Sequence, residues 1–157
     1  MQQSCRDALV LYNALAMESL GKEDFSLCLE LLGRAETLSD PALFLKDDAL
    51  RILTLNNFSC CFRRFAETCR DCLWHSFDFD FCRQGDLKLA LKYLRMADSI
   101  GKKVADDRHV ENVSATQLNL CAVLSQMGRH KDALVHARAA VMQVGGCLLY
   151  LVPQKAM

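Results

Sequence analysis

The stretch GDLKLALKYLRMA at residues 85–97 decides the fold, and GRHKDALVHARAA at residues 128–140 repeats its pattern. In each stretch, a glycine is followed five residues later by an alanine, Ala90 or Ala133, and another alanine lies seven residues further on. Positions i, i+4 and i+7 lie on one face of a helix, and small side chains there let a neighbouring helix approach closely. Both stretches therefore predict a helix after a glycine turn, packed against a partner helix.

A third copy, GKEDFSLCLELLGRA, occupies residues 21–35, with Cys28 at the position of Ala90 and Ala133. The interval from Gly21 to Cys28 is two residues longer than in the other copies. We assign the difference to a longer turn before this helix.

An upstream helix precedes the second and third turns, and it carries Asn57 in one copy and Asn119 in the other. Asn119 lies nine residues before its turn glycine, whereas Asn57 lies 28 residues before Gly85. Omitting the 19 residues 64–82 brings the two copies into register and spaces Cys28, Ala90 and Ala133 evenly, 43 residues apart. The predicted units are repeat 1 (1–40), repeat 2 (41–105, with the insertion 64–82), repeat 3 (106–144) and an apolar tail (145–157).

Helix boundaries follow from capping residues. Asp40 and Pro41 predict a helix start, with aspartate as N-cap and proline at the first helical position. Gly85 is expected to open the next helix, and Gly145 and Gly146 to end the last one. The predicted fold class is all-α.

Paired helices with small residues at these offsets resemble the tetratricopeptide repeat superfamily. The 43-residue period and the strings TLNNF at 54–58 and QLNL at 117–120 are similar to the kinesin-light-chain style of repeat. The resemblance covers about residues 8–144 outside the insertion, with Tyr12 at the position of Asn57 in the first repeat. It implies a right-handed α-solenoid of about three antiparallel helix pairs, with a loop insertion in the second pair.

The same resemblance implies a protein–protein interaction scaffold that binds a peptide or helix in its concave groove, without enzymatic activity or cofactor. Asn57 and Asn119 are the predicted groove residues, because an asparagine amide can donate to and accept from an extended peptide backbone. The alternative is that each bonds a neighbouring helix or water. Neither Ala115 nor Asn119 is basic, which argues against capture of a carboxylate tail. A cytoskeletal, ciliary or motor-adaptor role follows by analogy alone.

Composition excludes several function classes. The 19 basic residues balance 19 acidic ones, which argues against nucleic-acid binding and against a polybasic membrane anchor. No apolar run approaches the roughly 20 residues that span a bilayer. Nine cysteines and no visible secretion signal favour reduced thiols and the cytoplasm.

The insertion carries two further hypotheses. Cys69, Cys72, His75 and Cys82 offer four zinc ligands within 14 residues, which defines the alternative of a zinc-stabilised module. Residues 74–81 alternate apolar and acidic side chains as a strand does. The favoured interpretation is a poorly ordered loop with incidental thiols, and no metal residue is assigned.

No catalytic constellation is visible, since the histidines 75, 109, 130 and 136 are scattered and His136 is expected on a solvated face. The apolar run 147–152 suggests that the C-terminal helix lacks a polar cap. A fragment of a longer array, a truncated isoform, an end-to-end homo-oligomer and a purely structural subunit of a larger complex all stay open.

Overall fold

The computed structural model describes the backbone of residues 2–40, 47–71, 77–103 and 110–151, and the side chains of 2–40, 47–68, 86–103 and 113–143. These ranges form six helices and contain no strand, which confirms the predicted all-α class. The helices are α1 (Gln2–Gly21), α2 (Phe25–Leu38), α3 (Asp48–Asp71), α4 (Phe77–Lys103), α5 (Val110–Gln126) and α6 (His130–Leu151).

Consecutive helices pack as three pairs, α1 with α2, α3 with α4, and α5 with α6, and these three contacts are the most extensive in the molecule. The first helices of the pairs also contact one another, α1 against α3 and α3 against α5. In addition, α2 packs on α3 and α4 packs on α5. Each hairpin therefore buries its apolar face mainly against its neighbours along the chain.

The predicted small-residue face is confirmed. Cys28 and Ala90 are fully buried and Ala133 is 5% exposed. The residues seven positions further along, Ala35, Ala97 and Ala140, are at most 1% exposed. The second helix of every pair thus packs through the same small-residue stripe.

Tight turns join α1 to α2 and α5 to α6 in the same way. Glu23 (φ 62°) and Gly128 (φ 74°) adopt the left-handed conformation, and the next amide donates to a carbonyl five residues back: Asp24 to Ser19 at 3.0 Å, Arg129 to Leu124 at 2.8 Å. This pattern is the Schellman stop of a helix. Glu23, and not Gly21, is therefore the counterpart of Gly128, so the expectation of a longer first turn is wrong.

The insertion is largely helical, contrary to the expected loop with a strand-like segment. Residues 64–71 extend α3, and residues 77–82 belong to α4, which begins at Phe77 instead of Gly85. Alternation of phenylalanine and aspartate over five residues is a weak signal, and it yields where the segment can continue a helix that is already formed. Residues 72–76 lie outside the described residues.

The extension of α4 places Gly85 and Asp86 inside a helix. Asp86 is the counterpart of Asp24, which caps α2 by accepting the Leu27 amide at 3.0 Å. Asp86 has no helix start to cap, and its Oδ2 is buried with no hydrogen-bond donor among the described residues. Burial consequently raises the pKa of Asp86.

Two further boundaries differ from expectation. The helix expected from Pro41 begins at Asp48, where Asp47 acts as its N-cap by accepting the Leu50 amide at 3.1 Å, while residues 41–46 lie outside the described residues. The last helix passes through Gly145 and Gly146 to Leu151. A glycine inside a helix costs only about 1 kcal/mol relative to alanine, which does not by itself end the helix.

An aromatic stack packs in the cluster shared by the first two hairpins. Phe58 and Tyr93 are parallel at 4.5 Å between ring centroids, and Phe62 lies 5.7 Å from Tyr93. The stack joins α3 to α4, and α1 and α2 add Ala16, Cys28 and other apolar side chains to the same cluster.

Candidate functional site

Asn57 and Asn119, the predicted groove residues, occupy the first helices of the second and third hairpins. Asn57 is 8% exposed, and its Nδ2 donates to Asn13 Oδ1 on α1 at 2.8 Å. Asn119 is half-buried, and its Nδ2 donates to Asn56 Oδ1 on α3 at 3.1 Å. Each asparagine therefore bonds the preceding first helix, as the alternative interpretation expected.

The two acceptors, Asn13 and Asn56, are themselves bound alike. Asn13 Nδ2 donates to the Leu9 carbonyl four residues back at 2.9 Å and to Thr54 Oγ1 on α3 at 3.0 Å. Asn56 Nδ2 repeats both bonds, to the Ile52 carbonyl at 3.1 Å and to Thr116 Oγ1 on α5 at 2.8 Å. We call this repeated contact the asparagine ladder; its members are Asn13, Thr54 and Asn57 at the first junction, and Asn56, Thr116 and Asn119 at the second.

The ladder fixes the register of the first helices. Asn13 and Asn56 lie 43 residues apart, the interval already found in the second helices. By this register the counterpart of Asn57 in α1 is Ala14, so the sequence-based assignment of Tyr12 is wrong by two positions. The error has the same origin as the misplaced turn, because Gly21 was taken as the reference instead of Glu23.

Sequence reasoning missed four members of the ladder, Asn13, Thr54, Asn56 and Thr116. One signal was available, because Asn13 and Asn56 share the 43-residue interval, and Thr54 and Thr116 share the 62-residue interval of Asn57 and Asn119. Burying an amide without partners costs about 1–3 kcal/mol, so a polar group that recurs on a buried face predicts a bonded contact between repeats.

The second junction carries an additional polar relay. Gln117 Nε2 donates to Asp98 Oδ1 on α4 at 2.7 Å, and Gln117 Oε1 lies 2.7 Å from His136 Nδ1 on α6. A carbonyl oxygen only accepts, so Nδ1 carries a proton in this contact. Lys102 pairs with the other oxygen of Asp98 at 2.6 Å. His136 is therefore partly buried and bonded, contrary to the expected solvated position.

The first junction has no such relay, since the counterpart of Gln117 is Leu55, which is 2% exposed. Among the described residues, one polar link of the first junction besides the ladder is an ion pair between Arg6 on α1 and Asp47 at the start of α3, 3.1 Å apart. Gln117 stands where α3 has the apolar Leu55, and its two side-chain contacts link α5 to α4 and to α6.

Buried thiols account for part of the cysteine content. Cys28 on α2 and Cys61 on α3 are at most 1% exposed and lie in one apolar cluster. A hydrogen bond with Cys28 and burial raise the pKa of Cys61, and burial raises the pKa of Cys60. The Cys60 and Cys61 thiols therefore stay protonated, which is typical of structural thiols.

The zinc hypothesis falls on Cys69, Cys72, His75 and Cys82, whose side chains lie outside the described residues. Elsewhere in the described part, no three histidine, cysteine or acidic side chains cluster in a way that holds a metal ion. Within the same residues, no helix combines the length and apolar character that crossing a membrane requires.

Comparison with known proteins returns no relative: no family model matches the chain, and neither does any curated protein or solved structure.

Proposed function

We propose that the chain is a non-enzymatic protein–protein interaction scaffold, built as a right-handed solenoid of three tetratricopeptide-like helix pairs. The observation that carries the proposal is the side-by-side contact of α1 with α3 and of α3 with α5, in a register fixed by the asparagine ladder. Stacked hairpins in constant register form a continuous concave surface from their first helices. That surface is the proposed binding groove for a peptide or helix of a protein partner.

The ladder register defines the groove floor as three rows of three residues. Within each helix the positions are spaced i, i+4 and i+7, so they share one face. From α1 to α3 to α5, the rows are Val10, Leu53 and Ala115; Ala14, Asn57 and Asn119; Met17, Cys60 and Ala122. Val10 is 48% exposed, and all nine except Asn57 have surface open to solvent.

The chemistry of this floor favours an apolar helix or peptide. Seven of the nine residues are apolar, none is charged, and most are small, which lets a ligand backbone approach closely. The amide nitrogens of Asn57 and Asn119 already donate to α1 and α3. We therefore expect the apolar rows to contribute most of the affinity, while the role of the two asparagines in gripping a peptide backbone stays a prediction.

Selection of a random peptide display library on the immobilised chain tests the proposal. We expect selected peptides with apolar residues at helical spacing. A single Ala122→Arg or Ala115→Arg substitution should weaken their binding at least about tenfold by placing an unpaired charge on the floor. Leu89→Arg is the matched control, because Leu89 is a 40% exposed leucine of α4, outside the floor. The groove proposal would be wrong if no peptide were selected, or if the selected peptides bound the Ala115→Arg and Ala122→Arg variants as tightly as the wild type.

The partner class rests on this groove, whereas the cytoskeletal or ciliary setting rests on family resemblance alone. Asn57→Ala is a poor test of binding, because it also removes the bond to Asn13 that joins α1 to α3. Floor alanines avoid this difficulty, since neither Ala115 nor Ala122 has a side-chain polar group to lose.

A further inference from the structure

The C-terminal side of the third hairpin exposes apolar side chains that form a second surface, outside the groove. We call it the tail face; its members are Leu118 (55% exposed), Leu134 (52%), Val141 (70%) and Met142 (77%). Single exposed apolar side chains are common on proteins, but four on one side of one hairpin are a feature of interaction surfaces.

The repeat register shows what these positions do inside the stack. Leu118 is the counterpart of Asn13 and Asn56, the ladder residues that contact the following hairpin. Leu134 is the counterpart of Leu91, which is 5% exposed because it packs in the cluster that includes α5 and α6 residues. Leu118 and Leu134 therefore lie at positions through which each earlier hairpin contacts the next.

The opposite side of the molecule exposes the complementary positions on α1. We call it the head face; it consists of Leu11 (56% exposed), Leu15 (38% exposed) and the exposed Ala14. Leu11 is the counterpart of Thr54 and Thr116, and Ala14 is the counterpart of Asn57 and Asn119. The head face is thus the surface through which each later hairpin contacts the previous one.

The two faces depart from the internal junctions in a matched way. Inside the stack, an asparagine donates to a threonine and accepts from a second asparagine. On the tail face, Leu118 occupies the position of the first asparagine. On the head face, Leu11 occupies the position of the threonine and Ala14 that of the second asparagine. All polar members are replaced by apolar ones on both sides, so the two faces match in polarity. Pairing either face with an internal ladder face would instead bury an amide or hydroxyl without its ladder partner.

A cleft on the head side supports the same pairing. Inside the stack, a cavity of about 300 Å³ lies where Glu36 and Thr37 of α2 face Arg51 and Leu55 of α3. On the head side, the counterparts of the α3 residues, Ala8 and Tyr12, line an open, mainly apolar cleft of about 540 Å³. The counterparts of Glu36 and Thr37 on the third hairpin are Val141 and Met142, two apolar side chains suited to that cleft.

We propose that this chain assembles with further copies of itself head to tail, the tail face of one copy covering the head face of the next and Leu118 packing on Leu11. The interface continues the stacking of the hairpins across the boundary between copies. Because it uses different surfaces on the two partners, it produces either open chains with one free face at each end or closed rings. The assembly goes beyond the groove function and does not depend on it.

Sedimentation velocity of the full chain over a wide concentration range tests the assembly. We expect the mean mass to rise beyond that of a dimer in the wild type, and Leu118→Glu and Leu11→Glu each to be monomeric. An equimolar mixture of these two variants retains one intact pair of faces, so it should form a one-to-one dimer and nothing larger. Leu89→Glu, an exposed leucine outside both faces, should assemble as the wild type does.

Three results would overturn the proposal. A wild type that is monomeric at every concentration would show that the faces do not meet. Dimers of Leu11→Glu alone would show a symmetric contact between two tail faces. A mixture that stays monomeric would show that Leu118 of one copy does not pack on Leu11 of another. Circular dichroism of each variant verifies that the helices are retained.

Discussion

The first and second hairpins carry the same turn residues in register and fold them differently. In the first hairpin, Glu23 takes the left-handed conformation and Asp24 caps α2. In the second, the counterparts are Gly85 and Asp86, a better pair for the same turn, and both lie inside α4. The residues that favour a turn are thus overruled by a helical segment preceding them, because local preference is worth about 1 kcal/mol and continuing a helix avoids a new nucleus.

The second hairpin also differs in its position in the stack. Its first helix is bonded on both sides, through Thr54 and Asn57 to α1 and through Asn56 to α5, whereas α1 and α5 each have one ladder junction. The second hairpin therefore combines the strongest cross-junction bonding with a turn site that is no longer a turn.

The largest expected effect comes from Asn56→Ala, which removes the bonds that Asn56 makes with Thr116 and Asn119 across the second junction. We expect a loss of about 2–3 kcal/mol in the free energy of unfolding. Its counterpart Leu118 is 55% exposed, so Leu118→Ala should change the value by less than about 0.5 kcal/mol. Urea unfolding at low protein concentration measures both, and equal losses would show that the ladder contributes nothing specific.

Substitution of the aspartate that follows the turn position tests the difference between the first and second hairpins most directly. Asp24→Ala should destabilise by about 1 kcal/mol, since it removes an N-cap. Asp86→Ala should instead stabilise by up to about 1 kcal/mol at neutral pH, because it removes a buried carboxylate oxygen without a partner. Thermal and urea unfolding of the two variants, compared with the wild type, give the two signs.

The pH dependence of the Asp86→Ala effect follows from the direction in which burial shifts the pKa of Asp86. The ordinary pKa of an aspartate is 3.8, and burial raises the pKa of Asp86 above it in the folded state. The folded state then holds its proton more tightly, so the wild type is relatively most stable below pH 3.8 and loses this contribution as the pH rises through the raised pKa. The advantage of Asp86→Ala should shrink in acid. An advantage that is independent of pH would contradict the burial of an ionised carboxylate.

Deleting residues 64–82 supplies the control for this comparison. Without the inserted helix, Gly85 and Asp86 return to the positions that Glu23 and Asp24 occupy in the first hairpin. Asp86→Ala should then cost about 1 kcal/mol, as the loss of a cap does, instead of stabilising. An unchanged sign would mean that the insertion does not determine the conformation of Gly85.

The small-residue stripe and the all-helical class could be predicted because both depend on spacing within one helix. Cys28, Ala90 and Ala133 carry that information without reference to any other element. The ladder was missed although its 43-residue interval is visible in the sequence, because the register of the first repeat was taken from its turn glycine and the turn residue depends on which residue adopts a left-handed conformation. Glu23 does so against its intrinsic preference, and Gly21 drew the alignment two residues away. The conformation of residues 77–82 depends on the helix that they join, α4, so it cannot be predicted from those six residues alone.

The turns of the first and third hairpins sharpen the comparison at a smaller scale. Gly128→Ala forces a Cβ into the left-handed region and should cost about 1 kcal/mol. Glu23→Gly relieves the same strain, so it should stabilise, by less than about 1 kcal/mol because glycine also gains freedom in the unfolded chain. The free energies of unfolding of these two variants are expected to move in opposite directions. A destabilised Glu23→Gly would mean that the glutamate side chain outweighs its backbone strain.

The smallest effect is expected at Gly21, the residue that sequence alone suggests as the turn glycine. It is the last residue of α1, its φ is not positive, and a Cβ built there meets nothing within 4 Å. Gly21→Ala should therefore stabilise by about 0.5 kcal/mol, because alanine loses less backbone freedom on entering a helix. A shift of this size is resolved by the midpoint of urea unfolding at constant slope. Because Gly128→Ala makes the same chemical change with the opposite expected sign, the two variants together separate a helix-end glycine from a turn glycine. Destabilisation at both sites would indicate that Gly21 is the turn residue of the first hairpin. The first repeat would then be two residues out of the register that the asparagine ladder defines.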